Sequence, residues 1–252
     1  RFRAEPCAAS SGGSIVMSHG ETLTATGPSA LSVLVASPPG THHVVAKAAL
    51  EAGKHVLCEK PLATNLQDAF DLVETADRAE RILMVSQNYR YNAPFRAVQR
   101  LVMKKELGEL ASIRISCRRD TRTLFAPDDF RYSMRHPYVL DMSIHHFDLI
   151  RAATGRDVRG VYARSWRVPD SPFVHHPAVA AILDLDDGVP VIYQGDWATH
   201  EPETSWNGDW EIVGEASGNV VLRDAAREVE ESVRRGESLG SIAKRYGVST
   251  AR

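Results

Sequence analysis

Short apolar runs alternate with amphipathic segments along the first third of the chain. The run LSVLVAS at residues 31–37 is rich in β-branched side chains and is stopped by the tripeptide PPG, a pattern typical of a buried strand. Similar runs at residues 55–59 and 82–86 predict two further strands.

The two segments between these strands have the apolar spacing of helices. The first segment is capped by Thr41 and ends at Gly53, and the second contains a capping-box pair, Thr64 and Gln67. The faces that we expect to be apolar are Val44, Val45, Ala48, Ala49 and Ala52 in the first helix and Leu66, Ala69, Phe70 and Val73 in the second. Alternating strands and helices with short connections predict a parallel sheet with right-handed crossovers.

Polar residues follow each of these strands. They are Ser37-Pro38 after the first strand, Glu59-Lys60-Pro61 after the second and Gln87-Asn88 after the third. Ligands of an open parallel sheet bind in the crevice beyond the carboxyl ends of its strands, so we expect Lys60 to face that crevice. Pro61 stiffens the turn because its φ angle is fixed. The alternative is that Lys60 is an ordinary solvated loop residue.

Beyond about residue 91 the pattern changes to that of an antiparallel sheet. In ASIRISCR, residues 111–118, apolar and polar residues alternate, as in a strand with one buried face and one solvent-exposed face. Residues 179–197, with a turn at Asp187-Gly188, predict a hairpin, and residues 210–223 predict another. The predicted fold class is therefore α/β, with a partial parallel sheet followed by an α+β domain that has an open, mainly antiparallel sheet.

One helix in the second half carries a further group of candidate residues. YVLDMSIHHFDLIRAATG, residues 138–155, places Asp141, His145 and Asp148 on one helical face. A neutral imidazole beside a carboxylate is held in one tautomer and can accept a proton from an alcohol near neutral pH. Three other interpretations stay open: Asp141 as a helix cap, His145 as a core histidine, or a metal site made by His145 and His146. The metal site ranks last, because adjacent helix positions point about a third of a turn apart.

Composition limits the classes of function. The 252 residues include 30 basic and 32 acidic side chains, a balance that argues against a protein dedicated to nucleic acid or to a membrane surface. No apolar run reaches the ~18 residues of a membrane span and no secretory signal is visible, so we expect a cytoplasmic protein. Cys7, Cys58 and Cys117 lie far apart and predict buried thiols, not a disulfide framework or a zinc site.

These motifs together resemble those of one enzyme family. CEKPLATN at a strand end and DMSIHHFD on a later helix, with ASPPGTHH before them and SQNYRY between them, resemble the Gfo/Idh/MocA family of sugar and cyclitol dehydrogenases. The resemblance runs from about residue 32 to residue 224. It implies an NAD or NADP cofactor on a Rossmann domain and a sugar or cyclitol substrate held against the open sheet. The implied catalytic residues are Lys60, Asp141 and His145, and the implied cofactor contacts are Ser37, Pro38, His42, Glu59, Lys60 and Asn88.

The implied reaction is hydride transfer between the nicotinamide and a secondary hydroxyl of the substrate. A base and a cation must then converge on one oxygen. We expect His145 to take the hydroxyl proton, Asp141 to orient or polarise His145, and Lys60 to stabilise the developing alkoxide. We also expect a homo-oligomer formed through the open sheet, which would otherwise expose an apolar patch.

The start of the chain departs from the family pattern. No G-x-G-x-x-G turn precedes the first predicted strand, because Gly12, Gly13 and Gly20 have the wrong spacing and follow no apolar strand. Our hypothesis is that the residues before about residue 29 are foreign, out of frame or degenerate. The edge of the strand at residues 31–37 is then either exposed or covered by an irregular segment.

These patterns divide the chain into four segments. They are an irregular N-terminal segment at residues 1–30, a partial dinucleotide-binding domain at 31–90, a substrate-binding and oligomerisation domain at 91–224, and a helical tail at 225–252.

The tail sequence adds a second class of function. RRGESLGSIAKRYGVSTAR resembles the first half of a LysM glycan-binding module and equally the first part of a helix-turn-helix, although an amphipathic helix without a binding role explains it as well. Two alternatives to an active dehydrogenase therefore stand. One is a relic that keeps the substrate domain but has lost dinucleotide binding, and the other is a DNA- or glycan-binding module that acts through the tail.

Overall fold

The computed structural model describes residues 14–17, 31–215, 218–223 and 228–233. The chain forms two compact units, residues 1–87 and residues 88–252. Each unit has its own sheet and its own buried apolar core.

The first unit contains a four-stranded parallel sheet and two helices. Its strands are β1 (Ser14–Met17), β2 (Ser32–Val35), β3 (His55–Cys58) and β4 (Leu83–Val85), hydrogen-bonded in that order. The helices are α1 (His42–Glu51) and α2 (Leu66–Ala79), so the predicted alternation of strands and helices is confirmed. The buried core is formed by Val33, Val35, Ala46, Ala49, Leu50, Val56, Cys58, Leu72 and Ala76.

The expectation of an irregular segment at residues 1–30 is wrong for residues 14–17. These residues form β1, which pairs in parallel with β2 from Ser14 opposite Ser32 to Met17 opposite Val35. The edge of β2 is therefore covered by a strand of the same sheet. Four residues are too few to give a periodic signal, and pairing with a neighbouring strand decides their structure. The rest of this segment lies outside the described residues.

The second helix begins one residue later than predicted. Asn65 is its N-cap, because the Asn65 side-chain oxygen accepts a hydrogen bond from the Asp68 backbone N–H at 2.9 Å. Asn and Thr both cap helices well, and the sequence contains Thr64 and Asn65 in succession. The spacing from Thr64 to Gln67 therefore favoured the wrong residue.

The buried face of α2 also differs from the predicted one. Leu66, Phe70 and Val73 are 75, 61 and 48 % exposed, whereas Leu72 and Ala76 are buried. Both sets of residues have helical spacing, so the sequence alone cannot show which set packs against the rest of the unit. Which face of the helix is buried depends on how the helix is rotated about its axis when the adjoining turns fix its ends.

The second unit contains a seven-stranded mixed sheet. Its strands are β5 (Leu110–Arg118), β6 (Val158–Trp166), β7 (Ala178–Leu185), β8 (Pro190–Asp196), β9 (Asp209–Gly214), β10 (Gly218–Arg223) and β11 (Glu228–Val233). The spatial order is β11-β10-β9-β5-β8-β7-β6, in which β5 and β8 are parallel and the other neighbours are antiparallel. The helices α3 (Ala93–Met103) and α4 (Ile144–Thr154) share the buried core with the inward-facing residues of this sheet.

The predicted strand patterns in this unit are confirmed. Ile113, Ile115 and Cys117 of β5 are buried and alternate with more exposed polar residues. β7 and β8 form one predicted hairpin, whose turn contains Gly188 at φ +86°, and β9 and β10 form the other. The predicted α/β fold class, with a parallel sheet followed by a mainly antiparallel one, is therefore correct.

The predicted tail helix is wrong where the structure describes the tail. Residues 228–233 form β11, which runs antiparallel to β10. A short isolated helix is only marginally stable, whereas a sheet edge has unpaired backbone groups that can bind a neighbouring segment. The LysM-like or helix-turn-helix-like sequence at residues 234–252 lies outside the described residues. Among the helices that the structure describes, none is long and apolar enough to cross a membrane.

Candidate active site

Glu59, Lys60 and Pro61 directly follow β3, as the motif predicts. Cys58 at the end of β3 pairs with Val35 of β2, and the Glu59 N–H donates to the Val35 carbonyl at 2.8 Å. The Glu59 carboxylate lies 3.4 Å from the Lys60 backbone nitrogen, from which it accepts a hydrogen bond. The Lys60–Pro61 peptide is cis. The lysine backbone is therefore held at the carboxyl edge of the parallel sheet.

Ser37 and Pro38 form the adjacent loop, which follows β2. A 3₁₀ turn, Pro39–Thr41, connects this loop to α1. The Thr41 hydroxyl oxygen lies 2.6 Å from the Ser37 hydroxyl and 2.9 Å from the Pro38 carbonyl oxygen. Thr41 has the predicted N-cap position, but its side chain makes no capping hydrogen bond to α1 and instead holds the loop.

His42 joins these two loops. Its ring is buried, with Nδ1 2.7 Å from the Pro61 carbonyl oxygen and Nε2 2.8 Å from the Ser37 carbonyl oxygen. Backbone carbonyl oxygens therefore lie within hydrogen-bond distance of both ring nitrogens, and the cofactor contact implied for His42 stays a prediction. His42 is placed to hold the Ser37 loop against the Glu59-Lys60-Pro61 turn.

The carboxyl edge of the first unit fits a dinucleotide. Ser37, Pro38, Glu59 and Lys60 lie there on neighbouring strand ends, where ligands of open parallel sheets bind. A hydroxyl, a carboxylate and an ammonium group can hydrogen-bond the ribose and phosphate oxygens of such a ligand. Asn88, the remaining predicted cofactor residue, begins a 3₁₀ helix, Asn88–Tyr91, in the second unit.

Asp141 and His145 lie in the second unit at the start of the predicted helix. A π-helical turn spans Val139–Ser143 and leads directly into α4. Asp141 and His145 are 5 and 4 % exposed. A π turn changes the angular spacing of side chains, so the predicted single face is not that of a regular α-helix, and such turns are frequent at functional sites.

Arg131 forms an ion pair with Asp141. Its Nε donates to Asp141 Oδ2 at 2.7 Å, and its Nη1 lies 3.2 Å from both carboxylate oxygens of Asp129. The rings of Phe125 and Phe130 flank the guanidinium, with centroids 4.9 and 4.5 Å from its central carbon. Burial lowers the pKa of Arg131, but the charges of Asp141 and Asp129 outweigh that effect and raise the pKa above its usual value.

Tyr89 lies flat against His145. The two ring centroids are 4.0 Å apart and the ring planes differ by 8°. Burial raises the pKa of Tyr89 to about 12, so its hydroxyl stays protonated at neutral pH. Arg90 donates to both oxygens of Asp148 at 2.6 and 2.5 Å. The third residue of the predicted helical face therefore anchors the turn that carries Tyr89.

His146 is a neutral core residue. Its Nδ1 lies 2.8 Å from the Tyr193 hydroxyl, which donates to the Ser143 hydroxyl at 2.8 Å. Burial lowers the pKa of His146 to about 4. Within the described parts of the chain, no three His, Cys, Asp or Glu side chains are grouped as a metal ion requires.

The sequence predicts no role for Tyr89 or Arg131. Tyr89 belongs to SQNYRY, in which only Asn88 is predicted to contact a ligand. Arg131 lies in a segment, residues 118–135, that contains four other arginines, and no spacing rule distinguishes it from them. Only the three-dimensional arrangement shows that these two residues contact the predicted catalytic pair.

Two family models cover most of the chain. Residues 1–87 match the oxidoreductase family model described as an NAD-binding Rossmann fold, and residues 95–218 match the GFO/IDH/MocA C-terminal domain. The chain belongs to the Gfo/Idh/MocA oxidoreductase family. The predicted family and type of cofactor are therefore confirmed. The first match includes residues 1–30, the segment that we hypothesised to be foreign or degenerate.

Similar proteins are dehydrogenases and oxidoreductases of this family. Myo-inositol 2-dehydrogenase of Thermotoga maritima is 34% identical over 166 residues, which are 66% of this chain and 46% of that protein. The chain spans about half the length of the curated relatives it matches. A probable dehydrogenase structure from Thermotoga maritima has a TM-score of 0.67 at 27% identity and covers 77% of this chain and 57% of its own. Levoglucosan dehydrogenase, in complex with NADH and levoglucosan, shares the fold with a TM-score of 0.72 at 22% identity, over 84% of this chain and 59% of its own.

Proposed function

We propose that this protein transfers hydride between NAD or NADP and a secondary hydroxyl of a sugar or cyclitol. The observation that carries the proposal is a buried carboxylate and a buried imidazole, Asp141 and His145, one turn apart on a helix that begins with a π turn. Lys60, at the strand edge of the matched Rossmann fold, supplies the cation that the same chemistry requires.

His145 acts on the proton of the reacting hydroxyl. Its imidazole accepts that proton during oxidation and returns it during reduction. Asp141 orients the ring and stabilises the imidazolium that forms. The Lys60 ammonium hydrogen-bonds the reacting oxygen and stabilises its developing negative charge. The nicotinamide, when bound, accepts or donates the hydride.

The charges of the second unit favour an uncharged substrate. Arg131 is paired with Asp141 and Arg90 with Asp148, so these two guanidinium groups already face carboxylates. Binding a phosphate or carboxylate group at Arg131 or Arg90 would require breaking one of these pairs. Myo-inositol 2-dehydrogenase and levoglucosan dehydrogenase are named for compounds with several hydroxyl groups and no charge, whereas another similar protein, glucose-6-phosphate 3-dehydrogenase, is named for a phosphorylated sugar.

We infer that the outer face of the second sheet mediates self-association. Tyr162, Ile182 and Ile192 lie opposite one another on β6, β7 and β8 and are all exposed. The Arg114–Glu211 ion pair, at 3.0 Å, continues this row on β5 and β9. Burying such an apolar row against a second copy is favourable. Light scattering of concentrated protein should show a dimer or larger species, and a monomer would contradict the inference.

An activity panel tests the proposed reaction. The purified protein should reduce millimolar NAD⁺ or NADP⁺, measured by nicotinamide absorbance, with uncharged cyclitols or cyclic sugars but not with their phosphorylated forms. Lys60→Ala and His145→Ala should each lower turnover by at least ~100-fold, as expected for groups that act in the transition state. Lys47→Ala, which removes a lysine paired with Asp71, is the matched control. Activity within a few-fold of wild type in either site variant would contradict the role given to that residue.

A further inference from the structure

Asp141 lies in buried surroundings, which disfavour an ionised carboxylate. Its side chain is almost completely buried in the π turn. Burial disfavours an ionised carboxylate, and a protonated Asp141 could not stabilise an imidazolium on His145. Arg131 opposes this effect, because its Nε donates to Asp141 Oδ2 at 2.7 Å.

The local structure around Arg131 fixes the direction of its guanidinium. Asp129 accepts a hydrogen bond from the Arg131 backbone N–H at 2.9 Å and also contacts Nη1. Phe125 and Phe130 flank the guanidinium plane. These contacts limit the side chain to one orientation. The ion pair with Asp141 therefore has a fixed geometry, unlike an ion pair between two mobile side chains on the surface.

The charges of the three residues leave one negative charge in excess. Arg131 alone would neutralise Asp141 and weaken its attraction for a protonated His145. Asp129, at 3.2 Å from the same guanidinium, adds a second carboxylate. The cluster of Asp129, Arg131 and Asp141 therefore carries two negative charges and one positive charge.

We propose that Arg131 is a positioning residue that keeps Asp141 ionised and oriented, and that Asp129 restores the negative charge that favours a protonated His145. The part concerning His145 as a base rests on the proposed function. The ionisation of Asp141 does not. Other titratable groups around Asp141 include Tyr89 from the 88–91 turn, which stays neutral at neutral pH, and His145 one turn further along the helix.

Carbon-13 NMR of the aspartate side chains tests the first part directly. The Asp141 carboxyl signal, assigned by its loss in Asp141→Asn, should report an ionised group at neutral pH in the wild type. In Arg131→Gln the midpoint should rise by at least about one pH unit. Arg135→Gln is the matched control, because Arg135 is an exposed arginine in the same segment, and it should not move the midpoint. Equal Asp141 titration in wild type and Arg131→Gln would overturn the proposal.

Arg131→Lys keeps the test decisive if Arg131→Gln does not fold. Lysine retains the charge but lacks the planar fork that contacts Asp129 and Asp141 together. The Asp141 midpoint should then rise by less than in a neutral variant, yet measurably, by about half a pH unit. An unchanged midpoint would show that the guanidinium has no positioning role.

Asp129→Asn tests the charge balance. Removing the Asp129 carboxylate leaves the Arg131–Asp141 pair with no net charge. The titration midpoint of His145, followed by its ring-carbon shifts, should therefore fall by about half a pH unit or more. An unchanged His145 midpoint would overturn the role of Asp129.

Kinetics separates this proposal from the proposed function. With an active substrate, the lower limb of the pH profile of kcat/KM should move upward in Arg131→Gln, with Arg131→Lys between that variant and the wild type. A wild type without any turnover would contradict the dehydrogenase proposal, while the NMR midpoints would still decide the role of Arg131.

Discussion

The ring of Tyr89 is parallel to the ring of His145, at a centroid distance of 4.0 Å and an interplanar angle of 8°. This stacking covers one face of the imidazole and fixes the plane in which its two nitrogens can point. The neighbouring Arg90–Asp148 ion pair holds the turn that carries Tyr89 against α4. The orientation of the predicted base therefore depends on a residue of SQNYRY for which the sequence predicts no role.

Tyr89→Leu should lower kcat/KM by about 10- to 100-fold, because a base displaced by a fraction of an ångström transfers protons less efficiently. Tyr89→Phe keeps the ring and should retain most of the activity, so it is the matched control. Steady-state kinetics of the two variants with one substrate makes the comparison. Equal losses in the two variants would show that the hydroxyl, and not the stacked ring, is what His145 requires.

Gly195 of β8 should be intolerant of any side chain. A Cβ at this position would lie 1.9 Å from a ring carbon of Tyr138, a buried residue that precedes the π turn. Gly195→Ala should therefore destabilise the second unit by about 2 to 3 kcal/mol, as overpacked cores do. Urea unfolding measures this loss. Gly40→Ala is the control, because nothing lies within 4 Å of a Cβ there, and an equally small effect in both variants would contradict the prediction.

The sequence predicts those parts of the site that depend on local pattern. Lys60 follows an apolar run with short flanking turns, and His145 belongs to a helix closed by Gly155, so both could be placed on their elements. Arg131 could not be placed, because its contact with Asp141 depends on how an irregular segment folds back over the helix.

Two errors have a related physical cause. The strand at residues 14–17 is stabilised by its pairing with β2, and the strand at residues 228–233 by its pairing with β10. Neither segment has enough hydrophobic periodicity for its sequence alone to predict a strand. Long-range pairing overrides local preference in such short segments.

The stability of the second unit should fall as the pH is lowered below about 6.5, because His146 is buried as a neutral group. Its pKa is lowered from 6.5 to about 4 by burial, so the unfolded chain binds more protons between these values. Neutral His146 contributes its full stabilisation above the pKa that it has in the unfolded chain, and this stabilisation is lost as the pH falls toward its pKa in the folded protein. The free energy of unfolding lost over this pH range amounts to about 3 kcal/mol.

Urea unfolding at a series of pH values measures this contribution. His146→Gln should show a shallower decline of stability toward acid pH than the wild type. His176→Gln, which removes an exposed histidine, is the control and should decline like the wild type. Parallel curves for the wild type and His146→Gln would assign the decline to other groups.

Cofactor affinity should be limited by the residues that follow β1. A Rossmann fingerprint requires three glycines within six residues, but residues 18–26 contain only Gly20. Each charge-assisted hydrogen bond lost to the pyrophosphate weakens binding by roughly 1.5 to 3 kcal/mol, so two or three losses correspond to about two to six decades. We therefore expect NADH and NADPH to bind no tighter than millimolar in fluorescence titrations, with no detectable turnover at micromolar cofactor.

Ser18→Gly combined with Leu23→Gly recreates the G-x-G-x-x-G spacing around Gly20 and should tighten binding by at least about tenfold. Micromolar binding by the wild type would contradict the prediction, because the residues after β1 would then hold the pyrophosphate without the fingerprint.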